Sequence, residues 1–294
     1  MFKTDNMETL IKENKKIESR QTMYIDDFYL ADGRLLAPVR LHFMTWGELN
    51  PKGDNVVWIV HGLTANADVA QWWPGMVGSN EVFTPEKHFI VCVNLPGSCY
   101  GSSLPHEIFV DTETGKEFVQ LTPRHVAQLF NRLAVKLGVK KVFVLAGASV
   151  GGFVALEWAL LYGSFIQNLV LVATSYLVSP WNRALNETQL MALENVDYHQ
   201  GLAVARAIAM LSYRTPKIYN ERQVGFNFDA EPRAASYQRY QGEKLVERFS
   251  AQSYRYLVLF FNAHDVATFQ QSYVQRLGEI QCKGLGMAVD CFDD

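Results

Sequence analysis

A serine between closely spaced glycines is the clearest candidate for chemistry in this sequence. The stretch Gly147-Ala148-Ser149-Val150-Gly151 separates a β-branched apolar run from a segment with apolar residues at helical spacing. A chain that turns sharply from strand to helix strains the serine backbone, and glycines avoid the crowding that a Cβ would cause. We therefore predict that Ser149 is a nucleophile at the carboxyl end of a sheet. The helix behind it directs N–H groups at the reacting oxygen.

The elements around this serine predict an open α/β fold. Continuous apolar runs at 56–60, 89–93 and 168–173 predict buried strands of a mostly parallel sheet with helices on both faces. Residues 122–137 predict a helix that begins with Thr122-Pro123, since proline is tolerated at the first helical position. Alternating residues at 22–30 and 36–46 predict an opening antiparallel pair joined by an Asp-Gly turn.

We predict four regions along the chain. A polar N-terminal arm covers 1–21, and the first part of the core covers 22–178. The pattern becomes helical over 179–262, which predicts an inserted lid that excludes water from the serine. The core returns over 263–294, where 284–289 reads as a strand.

Composition excludes several classes of protein. The 294 residues are 49% hydrophobic and 19% charged with a net charge of −3, so nothing indicates a nucleic-acid or anionic-membrane partner. No apolar run approaches the roughly 20 residues that span a bilayer, and the polar N-terminus lacks the apolar core of a secretion signal. The four cysteines lack metal-ligand spacing. We expect free thiols, no metal and a cytoplasmic location.

A loop rich in glycine and serine follows the strand at 89–93. Residues 94–103 belong on the rim of the predicted site, because loops at the carboxyl ends of parallel strands form that rim. We interpret Cys99 and Tyr100 as pocket lining, since no histidine is paired with Cys99 to activate it. The pair Trp72-Trp73 either shapes a channel wall or simply packs.

Several motifs in the same chain order carry a family resemblance. All of them lie in the predicted core or in the predicted lid: His61-Gly-Leu-Thr64, Trp72-Trp73, His88–Cys92, Asn94 with 97–102, the elbow through Ala159, Asn186-Glu187, Gly201–Arg206 and Tyr237–Lys244. Together they resemble homoserine O-acetyltransferase, an acyltransferase of methionine biosynthesis with the α/β-hydrolase fold. The resemblance runs from about residue 22 to the end of the sequence.

The resemblance implies an acyl-serine mechanism. Ser149 takes the acetyl group of acetyl-CoA, a co-substrate rather than a bound cofactor, and passes it to the hydroxyl of L-homoserine. The backbone amides of Leu63 and Val150 form the oxyanion hole. Arg206 binds the homoserine carboxylate, with Arg214 as a second candidate. Relatives of this type are homodimers, so we expect one here.

The rest of the catalytic triad is harder to place. An acid is expected after the late strand, and we choose Asp293 with Asp294 as the alternative, Asp290 also being available. The family's Gly-His-Asp segment is absent, so we expect a shortened chain that lacks the last strand and helix of the core. Of the histidines present, His61 is nearest the elbow, but its expected role is to hold its loop.

Two other functions stay open at this stage. The same elbow and oxyanion loop serve esterases, so the protein is alternatively a hydrolase that uses water as the acceptor. The missing histidine also allows an inactive relative. Acetyl versus succinyl as the donated group, and homoserine versus serine as the acceptor, differ by small changes in the pocket.

Overall fold

The computed structural model describes residues 18–194, 197–267 and 272–287. Nine strands lie in these ranges: β1 (Glu18–Ile25), β2 (Val39–Trp46), β3 (Val56–Val60), β4 (Phe89–Val93), β5 (Phe109–Thr112), β6 (Gly115–Phe118), β7 (Val142–Ala148), β8 (Ile166–Val172) and β9 (Lys283–Met287). The α-helices of the same ranges are α1 (Val69–Trp72), α2 (Pro123–Lys136), α3 (Val150–Leu161), α4 (Pro180–Glu194), α5 (Tyr198–Leu211), α6 (Pro216–Arg222), α7 (Arg233–Val246), α8 (Ala251–Asn262) and α9 (Tyr273–Gly278).

Seven strands form one sheet in the order β1-β2-β4-β3-β7-β8-β9. The five strands from β4 to β9 in that order are parallel, while β1 and β2 run antiparallel at one edge. The predicted fold class is confirmed by this arrangement. Strands β5 and β6 form a separate antiparallel hairpin, which the sequence analysis did not predict.

The central strands are buried on both faces, which explains their continuous apolar sequences. Every residue of β3 and β4 is buried. Trp58 of β3 points to one face, where it packs against Phe130 of α2 and edge-on against Trp158 of α3 at 5.0 Å between ring centroids. Val57 and Ile59 point to the other face, where they join a second apolar cluster with residues near α1. Helices on both faces thus cover the alternating side chains of the same strand.

The antiparallel pair forms as predicted, but its bounds differ. Strand β1 begins at Glu18, inside the predicted arm of 1–21, and pairs along its whole length with β2. The predicted Asp-Gly turn closes only an isolated bridge between Tyr29 and Leu35. Pro38 precedes β2 and has no N–H to donate to the ladder, so the regular pairing starts after it. Residues 1–17 of the arm lie outside the described residues.

The segment from 180 to 262, which we call the helical segment, contains α4 to α8. No strand occurs in its described residues, which omit 195–196. After it, α9 leads to β9, which pairs in parallel with β8 at the edge of the sheet. The predicted strand at 284–289 is therefore present as 283–287, and 288–289 lie outside the described residues. No described helix combines the length and the apolar character that crossing a bilayer requires.

The packing of Trp158 generates a stability prediction. Its ring is fully buried and its indole N–H donates to Asn131. We expect Trp158→Ala to lower the free energy of unfolding by about 3–5 kcal/mol, because it leaves a cavity beside Trp58. Trp181→Ala removes a tryptophan that is 74% exposed and is the matched control, with a change within about 0.5 kcal/mol. Urea unfolding measures both. Equal losses in the two variants would contradict the described core.

Candidate active site

Ser149 lies at the turn between β7 and α3, as the elbow prediction requires. Its backbone has φ 52° and ψ −124°, a region that non-glycine residues adopt at a cost of about 1–3 kcal/mol. Two hydrogen bonds to the end of β8 hold this conformation. The Ser149 N–H donates to the Val172 carbonyl at 2.9 Å, and the Thr174 hydroxyl donates to the Ser149 carbonyl at 2.9 Å.

The motif glycines are required by close packing. A Cβ on Gly147 would lie 2.4 Å from the carbonyl oxygen of Gly151. A Cβ on Gly151 would lie 2.1 Å from the carbonyl oxygen of Val60, at the end of β3. No side chain fits at either distance, so α3 can approach the sheet this closely only with glycine at these positions.

The two amides predicted for the oxyanion hole follow the ends of neighbouring strands. Val60 and Gly147 are partners in the parallel pairing of β3 and β7, and Leu63 and Val150 each come three residues later. Val150 opens α3, so its N–H has no acceptor within the helix. No backbone carbonyl of the described residues accepts the N–H of Leu63. Both amides therefore remain available to a ligand.

The loop that carries Leu63 is held by a neutral histidine. His61 is completely buried; its Nδ1 donates to the Gly62 carbonyl at 2.8 Å, and its Nε2 accepts the Leu95 N–H at 3.1 Å. Burial lowers the pKa of His61 from 6.5 to about 4. Because both ring nitrogens are occupied, His61 holds its loop and is not placed to take a proton from Ser149.

No general base reaches Ser149 in the described residues. Ser149 is exposed, and none of the chain's seven histidines, all of which are described, hydrogen-bonds to it. His264 packs on the elbow helix: its ring stacks on Phe153 of α3 at 3.9 Å, and its Nε2 donates to the Ser175 carbonyl. Burial lowers its pKa to about 4, and its Nδ1 has no described partner.

The predicted acids follow the last described strand. Strand β9 ends at Met287, and Asp290, Asp293 and Asp294 all lie outside the described residues. The parallel pairing of β8 with β9 puts the carboxyl end of β9 on the same edge of the sheet as Ser149. That edge is where the acid of a nucleophile elbow belongs.

The structure pairs both candidate arginines with tyrosines. Arg206 of α5 donates to the Tyr213 hydroxyl at 3.4 Å and lies over its ring at 5.2 Å. Arg214 lies over the ring of Tyr237 at 5.0 Å. No acidic partner of Arg206 occurs among the described residues, so its charge is available to an anion. No described contact joins Arg206 directly to Ser149.

The rim loop packs against the helical segment. Cys99 is half-buried, and burial raises the pKa of its thiol, which argues against a reactive thiolate and agrees with pocket lining.

Asn94 is buried and joins two loops, since its Oδ1 accepts the Ala67 N–H and its Nδ2 donates to the Tyr100 carbonyl. Trp72 and Trp73 stack on each other, which agrees with the packing alternative.

Sequence reasoning missed one residue of this region. Arg248, in the connection between α7 and α8, donates to the Thr64 carbonyl at 2.6 Å and to the Tyr100 hydroxyl at 2.7 Å. These partners are 184 and 148 residues away in sequence, and a lone arginine after a helix gives no local signal of such contacts.

A cleft of about 290 Å³ opens beside the same loops. It is lined mainly by polar side chains, including Arg20, His42, Asp68 and Asn94. Ser149 does not belong to its lining. Within the described ranges, no three His, Cys, Asp or Glu side chains are grouped closely enough to bind a metal ion.

Comparison with known proteins relates this site to one group of enzymes. A family model described as alpha/beta hydrolase fold matches residues 55–210. A curated relative from Cyclobacterium marinum, named homoserine O-acetyltransferase, is 38% identical over 275 residues, which cover 89% of this chain and 78% of the relative.

Solved structures with the same fold include transferases and hydrolases. The structure of homoserine O-acetyltransferase from Bacillus anthracis matches with a TM-score of 0.80 at 18% identity, covering 93% of this chain and 83% of that one. Esterase E22 matches with a TM-score of 0.77 at 17% identity, covering 92% and 84%. At these identities the structural likeness concerns the fold alone.

The two buried histidines generate a pH prediction. Their folded pKa of about 4 lies below the unfolded value of 6.5, so the unfolded chain binds their protons first as the pH falls. Their contribution to stability is complete above about pH 6.5 and is lost between 6.5 and 4, at roughly 3 kcal/mol each.

Urea unfolding of His264→Gln and wild type from pH 7.5 to 4.5 measures this effect. We expect the pH-dependent loss in the variant to be smaller by roughly 2–3 kcal/mol. His199→Gln, at an exposed position, is the control and should keep the wild-type slope. Parallel curves for wild type and His264→Gln would show that His264 is not held neutral by the fold.

Proposed function

Because this chain belongs to the α/β-hydrolase fold family and, within it, to the homoserine O-acetyltransferases, we propose that it transfers an acetyl group from acetyl-CoA to the hydroxyl of L-homoserine. The observation that carries the proposal is the strained Ser149 at the start of α3, within a chain that is 38% identical to a homoserine O-acetyltransferase over most of its length. The amides of Leu63 and Val150, which have no acceptor among the described residues, support it. In this proposal the protein acts in methionine biosynthesis.

The first half-reaction loads the serine. The Ser149 oxygen attacks the thioester carbonyl carbon of acetyl-CoA, the C–S bond breaks, and the released thiolate takes up the proton that the serine hydroxyl loses. The negative charge on the carbonyl oxygen is stabilised by the N–H groups of Leu63 and Val150. Each such donor contributes about 3–4 kcal/mol to lowering the barrier.

The second half-reaction transfers the acetyl group to the acceptor. The homoserine hydroxyl attacks the acetyl-serine carbonyl, the bond to Ser149 breaks, and the serine oxygen takes up the proton that the homoserine hydroxyl loses. Arg206 binds the homoserine carboxylate, because its guanidinium matches two carboxylate oxygens and has no acidic partner among the described residues. The helical segment carries Arg206, but Ser149 itself is exposed, so the described residues do not show the predicted exclusion of water from the serine.

The missing base has a kinetic consequence. Without a histidine hydrogen-bonded to it, Ser149 is a neutral hydroxyl, and loss of a triad member lowers the rate by roughly 10⁴ to 10⁶. We therefore propose that these 294 residues by themselves react slowly through the acetyl-serine and that their reaction gains from an added base. The acid among Asp290, Asp293 and Asp294, the homodimer and the cytoplasmic location stay predictions.

Hydrolysis is the second candidate function. Ser149 is exposed in the structure, which gives water access to an acetyl-serine. Release of acetate from acetyl-CoA at an equal rate with and without homoserine would favour this hydrolase function over the transferase.

Chemical rescue tests the proposed function. We expect formation of acetylhomoserine to be slow, to be abolished by Ser149→Ala, and to rise at least tenfold with added imidazole, which acts as a base near neutral pH. Mass spectrometry of the product and of acetylated Ser149 follows both half-reactions. Product formation that survives Ser149→Ala would overturn the acyl-serine mechanism. Fast transfer that imidazole does not change would instead reveal a base within the chain.

The role of Arg206 is tested separately. Arg206→Lys keeps the charge but loses the two-pronged geometry, so we expect the KM for homoserine to rise about 10- to 100-fold with little change for acetyl-CoA. Arg214→Lys is the matched control, because Arg214 likewise lies over a tyrosine ring. Steady-state kinetics in the presence of imidazole decide. A larger rise of the KM for homoserine in Arg214→Lys would show that Arg214, and not Arg206, binds the homoserine carboxylate.

A further inference from the structure

A single arginine connects the helical segment to the two loops beside Ser149. Arg248 lies between the end of α7 and the start of α8, and its Nη1 donates to the Thr64 carbonyl at 2.6 Å and to the Tyr100 hydroxyl at 2.7 Å. Both distances are short for hydrogen bonds from nitrogen, as is usual when the donor is charged. Arg248 therefore contacts the predicted oxyanion loop and the rim loop with one nitrogen.

The backbone around this arginine is well anchored. Phe249 is buried and packs edge-on against Tyr100 at 5.6 Å and against Tyr254 at 6.3 Å. The Ser250 hydroxyl accepts the Ser253 N–H and so caps α8. Because the two residues that follow Arg248 are fixed in this way, the backbone of Arg248 is held in place.

The loop at the other end of these contacts carries the Leu63 amide. On one side it is held by His61, which accepts the Leu95 N–H, and its turn is closed by a bond from the Ala65 N–H to the Gly62 carbonyl. On the other side Thr64 follows Leu63 directly, and its carbonyl is bound by Arg248. Within the described ranges, Arg248 is the one charged side chain that hydrogen-bonds to residues 61–65.

We propose that Arg248 is a positioning residue that makes the oxyanion hole depend on docking of the helical segment. It holds the Thr64 carbonyl, the Ala65 N–H of the same peptide unit donates to the Gly62 carbonyl, and the Gly62–Leu63 peptide unit carries the Leu63 N–H. This inference deepens the proposed function and rests on it for its kinetic part. When the Thr64–Ala65 peptide unit loses its charged partner it can rotate, which weakens the bond from Ala65 to the Gly62 carbonyl and frees the Gly62–Leu63 unit to turn. A Leu63 N–H that points away from the oxyanion stabilises the transition state less.

The experiment compares Arg248→Gln and Arg248→Lys with a matched control. Arg255→Gln also removes an arginine of this region, from an exposed position on α8 where its one ion-pair partner among the described residues is Glu194 at 4.0 Å. Hydrogen exchange of the peptide that covers residues 61–66 is one measurement and needs no catalysis. Acetyl-transfer kinetics with imidazole present are the other, and thermal melts check that each variant folds.

We expect exchange in 61–66 to become at least tenfold faster in Arg248→Gln and to be partly restored in Arg248→Lys, which keeps a charged donor. The kcat should fall about 10- to 100-fold with the KM for acetyl-CoA within twofold, less than the full loss of an oxyanion donor because Arg248 is partly open to solvent. Arg255→Gln should change none of these quantities.

Two outcomes overturn the inference. One is unchanged exchange of 61–66 in Arg248→Gln; the other is faster exchange spread equally over the whole chain, which indicates general destabilisation. If Arg248→Gln does not fold, Arg248→Lys decides by the same criteria. If the wild type shows no Ser149-dependent transfer, the proposed function fails while hydrogen exchange still decides whether Arg248 positions the loop.

Discussion

The close approach of α3 to the end of β3 is the constraint on which the candidate site depends. A Cβ on Gly151 would lie 2.1 Å from the Val60 carbonyl oxygen, so the helix meets the sheet backbone to backbone. This contact puts the first amide of the helix next to the loop that leaves β3. It also forces the sharp turn that leaves Ser149 at φ 52°. Ser149 and the amides predicted for the oxyanion hole thus depend on one packing requirement, and the strain at Ser149 is offset by its bonds to the end of β8.

The loop opposite the elbow is held from two sides by different kinds of interaction. His61 acts from inside the core, where burial keeps its ring neutral and allows one nitrogen to donate while the other accepts. Arg248 acts from the helical segment, where access to water permits a full charge. The division follows from solvation, since an unpaired cation at the position of His61 would be costly and a neutral group at that of Arg248 would bind the carbonyl less strongly.

In the proposed acyl-transfer site, the described residues supply the electrostatic part of the chemistry. A strained serine and two unpaired amides can bind and polarise a carbonyl, but proton transfer needs a group of suitable pKa within hydrogen-bond reach of the serine. His264 packs against the elbow helix but is not placed to act as a general base for Ser149. It stacks on the helix that begins at the elbow, yet its proton is committed to the Ser175 carbonyl and burial opposes its protonation. The fold that this chain shares with esterases is compatible with acyl transfer, because the choice of acceptor is decided by the pocket rather than by the elbow.

The sequence by itself determined the elbow, the buried strands of a mostly parallel sheet, the start of α2 at its proline and the helical character of 180–262. Each of these depends on residues within a few positions of one another, through glycine sterics, proline geometry or the period of apolar side chains. Tertiary structure alone decided the start of β1 at Glu18, the β5–β6 hairpin, the occupied nitrogens of His61 and the contacts of Arg248. The physical reason is that a hydrogen bond across 184 residues exists only after the sheet, the loops and the helical segment have packed, and no local preference of an arginine encodes it.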